Sequence, residues 1–327
     1  MNKSSFYVEP YFSVRNYFEK DELSTREQKD LKVEKIKDVI QLENRLGVVI
    51  AKPGNGKSRF LKELLLAAKE DRKESTFIDL KEIDTSPSTP LEKSIRDLIP
   101  LCQIIDLEKN DEDIIREKRL LSTSNFQFDN TSDNIIICLD ALDEINPKLH
   151  FEIIKKIRAF LANFPNIILF LSCRKYICKK HISELNDLSP NYIELFPFTY
   201  FRVSKYLKSS GFTDKQIEET TLKFGARLNN ESVIGSPRIL EIFVSIAINK
   251  GFQVALEMNK AELLETFIYK KLDREEKVIR TNHVAAIKRV LEKLALVMEI
   301  YHKKEITKDE LMTFFDDIDS PFVLSNK

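Results

Sequence analysis

The stretch "AKPGNGKS", residues 51–58, decides how the rest of the chain is read. It lies between a short apolar run, "GVVIA" (47–51), and "RFLKELLLAA" (59–68). In the second run and its approach Phe60, Leu61, Leu64, Leu65 and Ala68 recur at helical spacing, so the loop joins a buried strand to a helix. Gly54 and Gly56 give the backbone the unusual φ values that let successive N–H groups turn toward an anion. The helix starting near Lys57 adds unsatisfied N–H groups and the positive end of its dipole. In such a loop Lys57 reaches the β- and γ-phosphates of a nucleotide, and the Ser58 hydroxyl is a hard oxygen ligand for Mg2+. Ala51, Lys52, Pro53 and Asn55 complete the candidate phosphate loop, with Ala51 at the strand end, where glycine is the commoner occupant.

A second run, "IIICLDALDEI" (135–145), is an apolar strand that ends in Asp140 and is followed by Asp143 and Glu144. The end of a parallel strand delivers Asp140 to the sheet edge where phosphates bind, as a holder of Mg2+, directly or through water. Glu144 is the candidate general base for an attacking water, with Asp143 beside it. A plain acidic surface turn is the competing reading, but it does not explain why a wholly apolar run ends in these acids. "LFLSCRK" (169–175) ends another strand at Arg174. That arginine either reads a γ-phosphate and stabilises its departing charge, or is an ordinary exposed residue after a strand. "GSP" (235–237) puts Pro237 against an adenine face, or only at the start of a helix.

The remaining strands are "STFIDL" (75–80), "NIILFLSCR" (166–174) and "NYIELF" (191–196). Strands alternating with helices predict a parallel sheet covered on both faces. The expected fold class is α/β, a P-loop NTPase with its parallel sheet sandwiched by helices. Residues 1–46 read as mostly helical, with "YVEPYF" (7–12) extended and Val33, Ile36, Val39, Ile40 and Leu42 roughly on one helical face. Residues 104–134 read as a charged helix and then an exposed loop. After Pro197 the pattern is helical throughout. Thr213 and Gln216 form a capping box, a helix opens at Pro237, a long helix spans about 284–301, and Thr307 with Glu310 caps a short last one. These changes of pattern place domain cuts after residue 46, near 197–200 and near 255–260.

Composition narrows the function further. Fifty-two Lys and Arg balance 52 Asp and Glu over 327 residues, so no global basic field recruits nucleic acid or anionic membrane. No apolar run approaches the roughly 20 residues of a membrane helix, and "MNKSSFYVEPYF" has no apolar secretion core. Cys102, Cys138, Cys173 and Cys178 lack zinc spacing and read as free thiols in a reducing cytoplasm. The histidines at 150, 181, 283 and 302 are scattered.

Together the motifs resemble the NACHT family of STAND P-loop ATPases. "LDALDE" matches that family's acidic motif, "AKPGNGKS" its phosphate loop, "SCR" the end of its later strand, "ELFPFT" its L-x-P-F element and "GSP" its G-x-P. The likeness runs from about residue 7 to 315, and it places "YVEP", hence Val8, near the base. It implies an ASCE/AAA+-like nucleotide-binding domain over 47–198, a helical lid over 199–257 and a partial winged helix over 258–327, working as an ATP- and Mg2+-dependent switch, held closed on ADP, that exchanges to ATP, self-associates and resets by slow hydrolysis, in anti-phage or innate immune defence. Ala51 and Lys52 depart from the usual Gly and Glu. The chain stops at "SPFVLSNK", about where the wing and its phosphate-sensing histidine would follow, so the resemblance implies a fragment, a truncated product or a minimal member. A nucleic-acid motor or clamp, a small-molecule kinase and a scaffold without turnover are the alternatives.

Overall fold

The structure is a computed structural model that describes residues 8–16, 35–71, 73–84, 86, 88–98, 135–225, 233–279 and 284–300. Cys102, His283, His302, the helix and loop expected over 104–134 and the helix capped by Thr307 lie outside these residues.

Six strands build one sheet: β1 (Phe12–Arg15), β2 (Leu46–Ala51), β3 (Ser75–Asp79), β4 (Ile135–Asp140), β5 (Ile167–Arg174) and β6 (Asn191–Leu195), in the order β1-β6-β2-β5-β4-β3. All neighbours are parallel except β1, which runs antiparallel along β6. Strands β2 and β4 are buried at every position, as a sheet covered on both sides requires.

The helices on the two faces follow from the strand order. The chain leaves β2 through α2 (Lys57–Glu70) and steps outward to β3 at the edge. It then steps back through β4 and β5 and crosses to β6. Crossovers that are right-handed must place outward and returning connections on opposite faces. So α2 covers Val49, Ala51, Ile136, Cys138, Ile168 and Phe170 with Phe60, Leu61, Leu64 and Leu65. On the other face Val48, Ile50, Ile137, Leu139, Leu169 and Leu171 meet α3 (Leu91–Leu98), α4 (His150–Asn163), α5 (Lys175–Lys180) and α6 (Ile182–Asn186).

The N-terminal segment corrects the sequence reading. It is not mostly helical where it is described: only one turn, α1 (Ile36–Val39), is helix, and Phe12–Arg15 is a sixth strand. "FSVR" alternates buried and half-buried positions, and Phe12 sets its ring edge-on to Phe60 at 5.3 Å. Four residues are too few for a period-two pattern to stand out, and the partner strand β6 comes far later in the chain.

After β6 the described residues form helices only. The first are α7 (Tyr200–Ser209), α8 (Asp214–Lys223), α9 (Pro237–Lys250) and α10 (Phe252–Glu257). Their core is an aromatic cluster in which Phe243, fully buried, meets Phe212, Phe224 and Phe252 at 5.6–6.5 Å. The capping box is present on α8: Thr213 Oγ1 accepts from Gln216 N–H, and Gln216 Oε1 accepts from Thr213 N–H. Thr213→Ala is expected to cost about 1 kcal/mol. In a domain of this size that lowers Tm by about 2–4 °C in a thermal melt.

The chain divides between Leu256 and Glu257. The second unit contains α11 (Lys260–Ile279) and α12 (Val284–Ile300). Asn259 caps α11, its Oδ1 accepting from Ala261 and Glu262 N–H, while Glu262 reaches back to Asn259 N–H. Among the described residues no helix is long and apolar enough to cross a membrane.

Candidate nucleotide site

Strand order locates a crevice before any side chain is considered. β2 and β5 are neighbours, yet the chain leaves them toward opposite faces, into α2 and α5 respectively. In an open parallel sheet such a switch point opens a cleft at the carboxyl ends of the strands. Ala51, the last residue of β2, is in register with Arg174, the last of β5, so the loop 51–58 and Arg174 flank that cleft.

The loop has the shape its glycines allow. Gly54 and Gly56 have φ of 81° and 85°, and Lys52, Pro53 and Gly54 are exposed. A turn closes from Asn55 N–H to the Lys52 carbonyl at 3.2 Å. The first backbone bond of α2 runs from Phe60 N–H to the Gly56 carbonyl at 2.8 Å, which leaves the N–H groups of Lys57, Ser58 and Arg59 ahead of the helical ladder. The first turn of α2 carries no acid to compete for them. Lys57 is half-buried and Ser58 exposed, and neither side chain is tied up by another described residue. Asn55 is 4% exposed, and its Nδ2 has no hydrogen-bond partner. A buried donor left in this way costs free energy that a phosphate oxygen would recover.

Two strands away, roughly 10 Å at the usual spacing, β4 ends in Asp140, which is 7% exposed. Ser172 Oγ donates to Asp140 Oδ1 and accepts from Ala141 N–H at 2.9 Å. Ala141 lies in the left-handed region with φ 66°, and this turn sends the chain into Asp143 and Glu144. These two acids have different surroundings. The Asp143 side chain is 2% exposed, and its Oδ2 accepts from Arg174 Nε at 2.7 Å. It orients the arginine, whose side chain stays 37% exposed. Glu144 lies at the surface and forms an ion pair with Lys81, just beyond β3. That carboxylate raises the Lys81 pKa above its ordinary value, with partial burial opposing.

A Mg2+ ion bound with a nucleotide needs few protein ligands, since phosphate oxygens and water supply the rest. Among the described residues no group of three or more His, Cys, Asp or Glu could hold a metal alone. One carboxylate, Asp140, and one exposed hydroxyl, Ser58, fit an ion that a phosphate chain shares.

Pro237 opens α9 beside the loop. Arg238 N–H donates to the Gly54 carbonyl at 3.2 Å and Ser236 Oγ approaches the same oxygen at 3.4 Å. A Cβ on Gly54 would meet Ser236 Oγ at 2.9 Å and Arg238 Cβ at 3.2 Å, a tight approach beside a φ of 81° that itself favours glycine. Val8 is buried at 4% in a segment held from both sides. Glu9 Oε1 accepts from Ile36 N–H at 2.6 Å, and the Glu9 carbonyl accepts from Arg202 Nε at 2.7 Å.

Sequence reasoning missed Ser172, Lys81, Ser236 and Arg238. Ser172 leaves a trace in the sequence as the one hydroxyl within the apolar run "IILFLSC" (167–173), and Ser236 lies inside "GSP" without a role of its own there.

No protein-family model matches the sequence, and no curated protein matches it. Among solved structures, the Walker-type ATPase of Pyrococcus abyssi aligns at 14% identity and TM-score 0.42 over 85% of each chain. RuvB of Thermotoga maritima aligns at 13% and TM-score 0.35, covering 73% of this chain and 72% of its own. A Rhizobiales Trip13 aligns at 13% and TM-score 0.39, covering 68% of this chain and 77% of its own. At such scores the fold assignment rests on this chain's own strand order and loop: an α/β P-loop NTPase fold with a six-stranded, mostly parallel sheet.

Proposed function

We propose that the chain binds ATP and ADP with Mg2+ at the 51–58 loop, hydrolyses ATP slowly and uses the bound nucleotide as a conformational switch of the NACHT type. The observation that carries this reading is the loop itself. Two glycines at positive φ follow a buried parallel strand and lead into a helix whose first turn carries Lys57 and Ser58, begins its ladder only at Phe60 N–H and holds no acid. Gly54, Asn55, Gly56 and Lys57 grip the phosphates. Ser58 and Asp140 share the ion, which screens phosphate charge when bound. Arg174 meets the γ-phosphate, and Glu144 takes the proton of the attacking water. Val8 and Pro237 lie toward the base.

Two observations support a switch over a plain hydrolase. The Gly54 carbonyl accepts from the first N–H of α9, so the phosphate loop and the helices after β6 share a hydrogen bond. Arg174 and Glu144 are both engaged by other side chains, Asp143 and Lys81. A γ-phosphate competes for the arginine, and ADP lacks it. This differential contact lets one nucleotide favour one arrangement. Self-association in the ATP state, a defence role and a cytoplasmic site belong to this proposal through the NACHT resemblance.

Calorimetric titration of the full chain with ATP and with ADP, each with Mg2+, tests the reading. Saturable binding of both is expected. Folded protein that takes up neither adenine nor guanine nucleotides overturns it.

A further inference from the structure

Ser172 is fully buried on β5, and every other residue from Ile167 to Cys173 is apolar. A lone hydroxyl in such a strand must find its partners nearby. Ser172 spends both its donor and an acceptor on one turn of the neighbouring strand: Oγ–H to Asp140 Oδ1, and Oγ from Ala141 N–H. The two bonds act on different things. The first fixes the carboxylate's rotation and leaves Oδ2 as the oxygen for an ion. The second holds a backbone N–H at a residue whose φ of 66° is rare for a side chain with a Cβ. That turn sends the chain on to Asp143 and Glu144, and Arg174, two residues beyond Ser172, holds Asp143 from the same strand end.

The geometry points to Ser172 as a positioning residue for the metal: through Asp140 and the Ala141 turn it sets the carboxylate that binds the nucleotide's divalent cation. The inference rests on the reading of Asp140 as the metal's carboxylate. Ser172 touches neither nucleotide nor ion. Its effect belongs on metal affinity, since groups that orient a ligating carboxylate are worth roughly 10- to 100-fold in metal binding. Phosphate gripping by the 51–58 loop does not depend on it.

Mn2+ binding to the ADP complex of the full chain, followed by electron paramagnetic resonance, tests this without turnover. Ser172→Ala is expected to weaken Mn2+ about tenfold or more, with ADP affinity in EDTA unchanged. Ser172→Thr, which keeps a hydroxyl, is expected to restore most of the Mn2+ affinity. Wild-type Mn2+ affinity in a folded Ser172→Ala protein overturns the inference. If the alanine variant does not fold, Ser172→Cys takes its place, being of similar size with a weak donor, and unchanged Mn2+ affinity there overturns it equally. Asp140→Asn separates the two failures. Mn2+ binding lost in Asp140→Asn but intact in Ser172→Ala sinks the positioning role alone. Mn2+ binding intact in Asp140→Asn removes the metal reading and this inference with it.

Discussion

Lys57→Ala is expected to weaken ATP and ADP binding about 100-fold or more while the protein stays folded. Lys57 is the first residue of α2, half-buried, and its ammonium is engaged by no other described residue. Alanine is a better helix former than lysine, so the helix start tolerates the change. What is lost is a cation facing two phosphates. Hydrogen bonds between charged groups are worth about 1.5–3 kcal/mol each, and a 100-fold change in Kd is about 2.7 kcal/mol. Titration calorimetry reads the affinity directly. A thermal melt gives an independent check, because a ligand that binds only the folded state raises Tm in proportion to ln(1 + [L]/Kd). The wild-type melt should rise with ATP and the variant's should not. Equal ATP affinity in both proteins sinks the phosphate-loop assignment.

Glu144→Gln should separate binding from chemistry. Glutamine keeps the size and hydrogen-bonding reach of the side chain but cannot accept a proton from water as a carboxylate does. A positioned general base contributes roughly 10²- to 10⁴-fold, so phosphate release should fall by about that factor with nucleotide affinity nearly unchanged. Stability should change little, because the Lys81–Glu144 pair is exposed on both sides, at 51% and 43%. Pairs of that kind contribute about 0–1 kcal/mol. The same weakness lets Glu144 leave Lys81 when a water must be activated. Turnover is measured by phosphate release under saturating ATP. If it is unchanged, the base is some other group, and Glu144 only anchors the surface through Lys81.

Much of the sheet was legible because its signal is local. Runs such as "IIICLD" and "IILFLSC" are apolar at consecutive positions, which fits strands buried on both faces. The phosphate loop was legible for the same reason: strand, glycines, Lys57, Ser58 and helix follow one another within a few residues. Strand β1 was not legible, because its evidence is a partner strand on the far side of the sequence. The helix expected over Val33–Leu42 shrinks to one turn where it is described, since the chain must enter β2 at Leu46.

The sequence by itself determined the chemistry on offer: which acids, which cations and which glycines stand at strand ends, since each strand delivers its last residue to the same sheet edge. Only the tertiary structure decided how those groups pair. Placing β5 between β2 and β4 brings Ser172 to Asp140 and Arg174 to Asp143. Placing β3 beside β4 brings Lys81 to Glu144, and folding α9 back onto the loop brings Arg238 to Gly54. Each of these contacts joins residues far apart in the chain. Strand order and crossover hand set them, and no local pattern of residues encodes either alone.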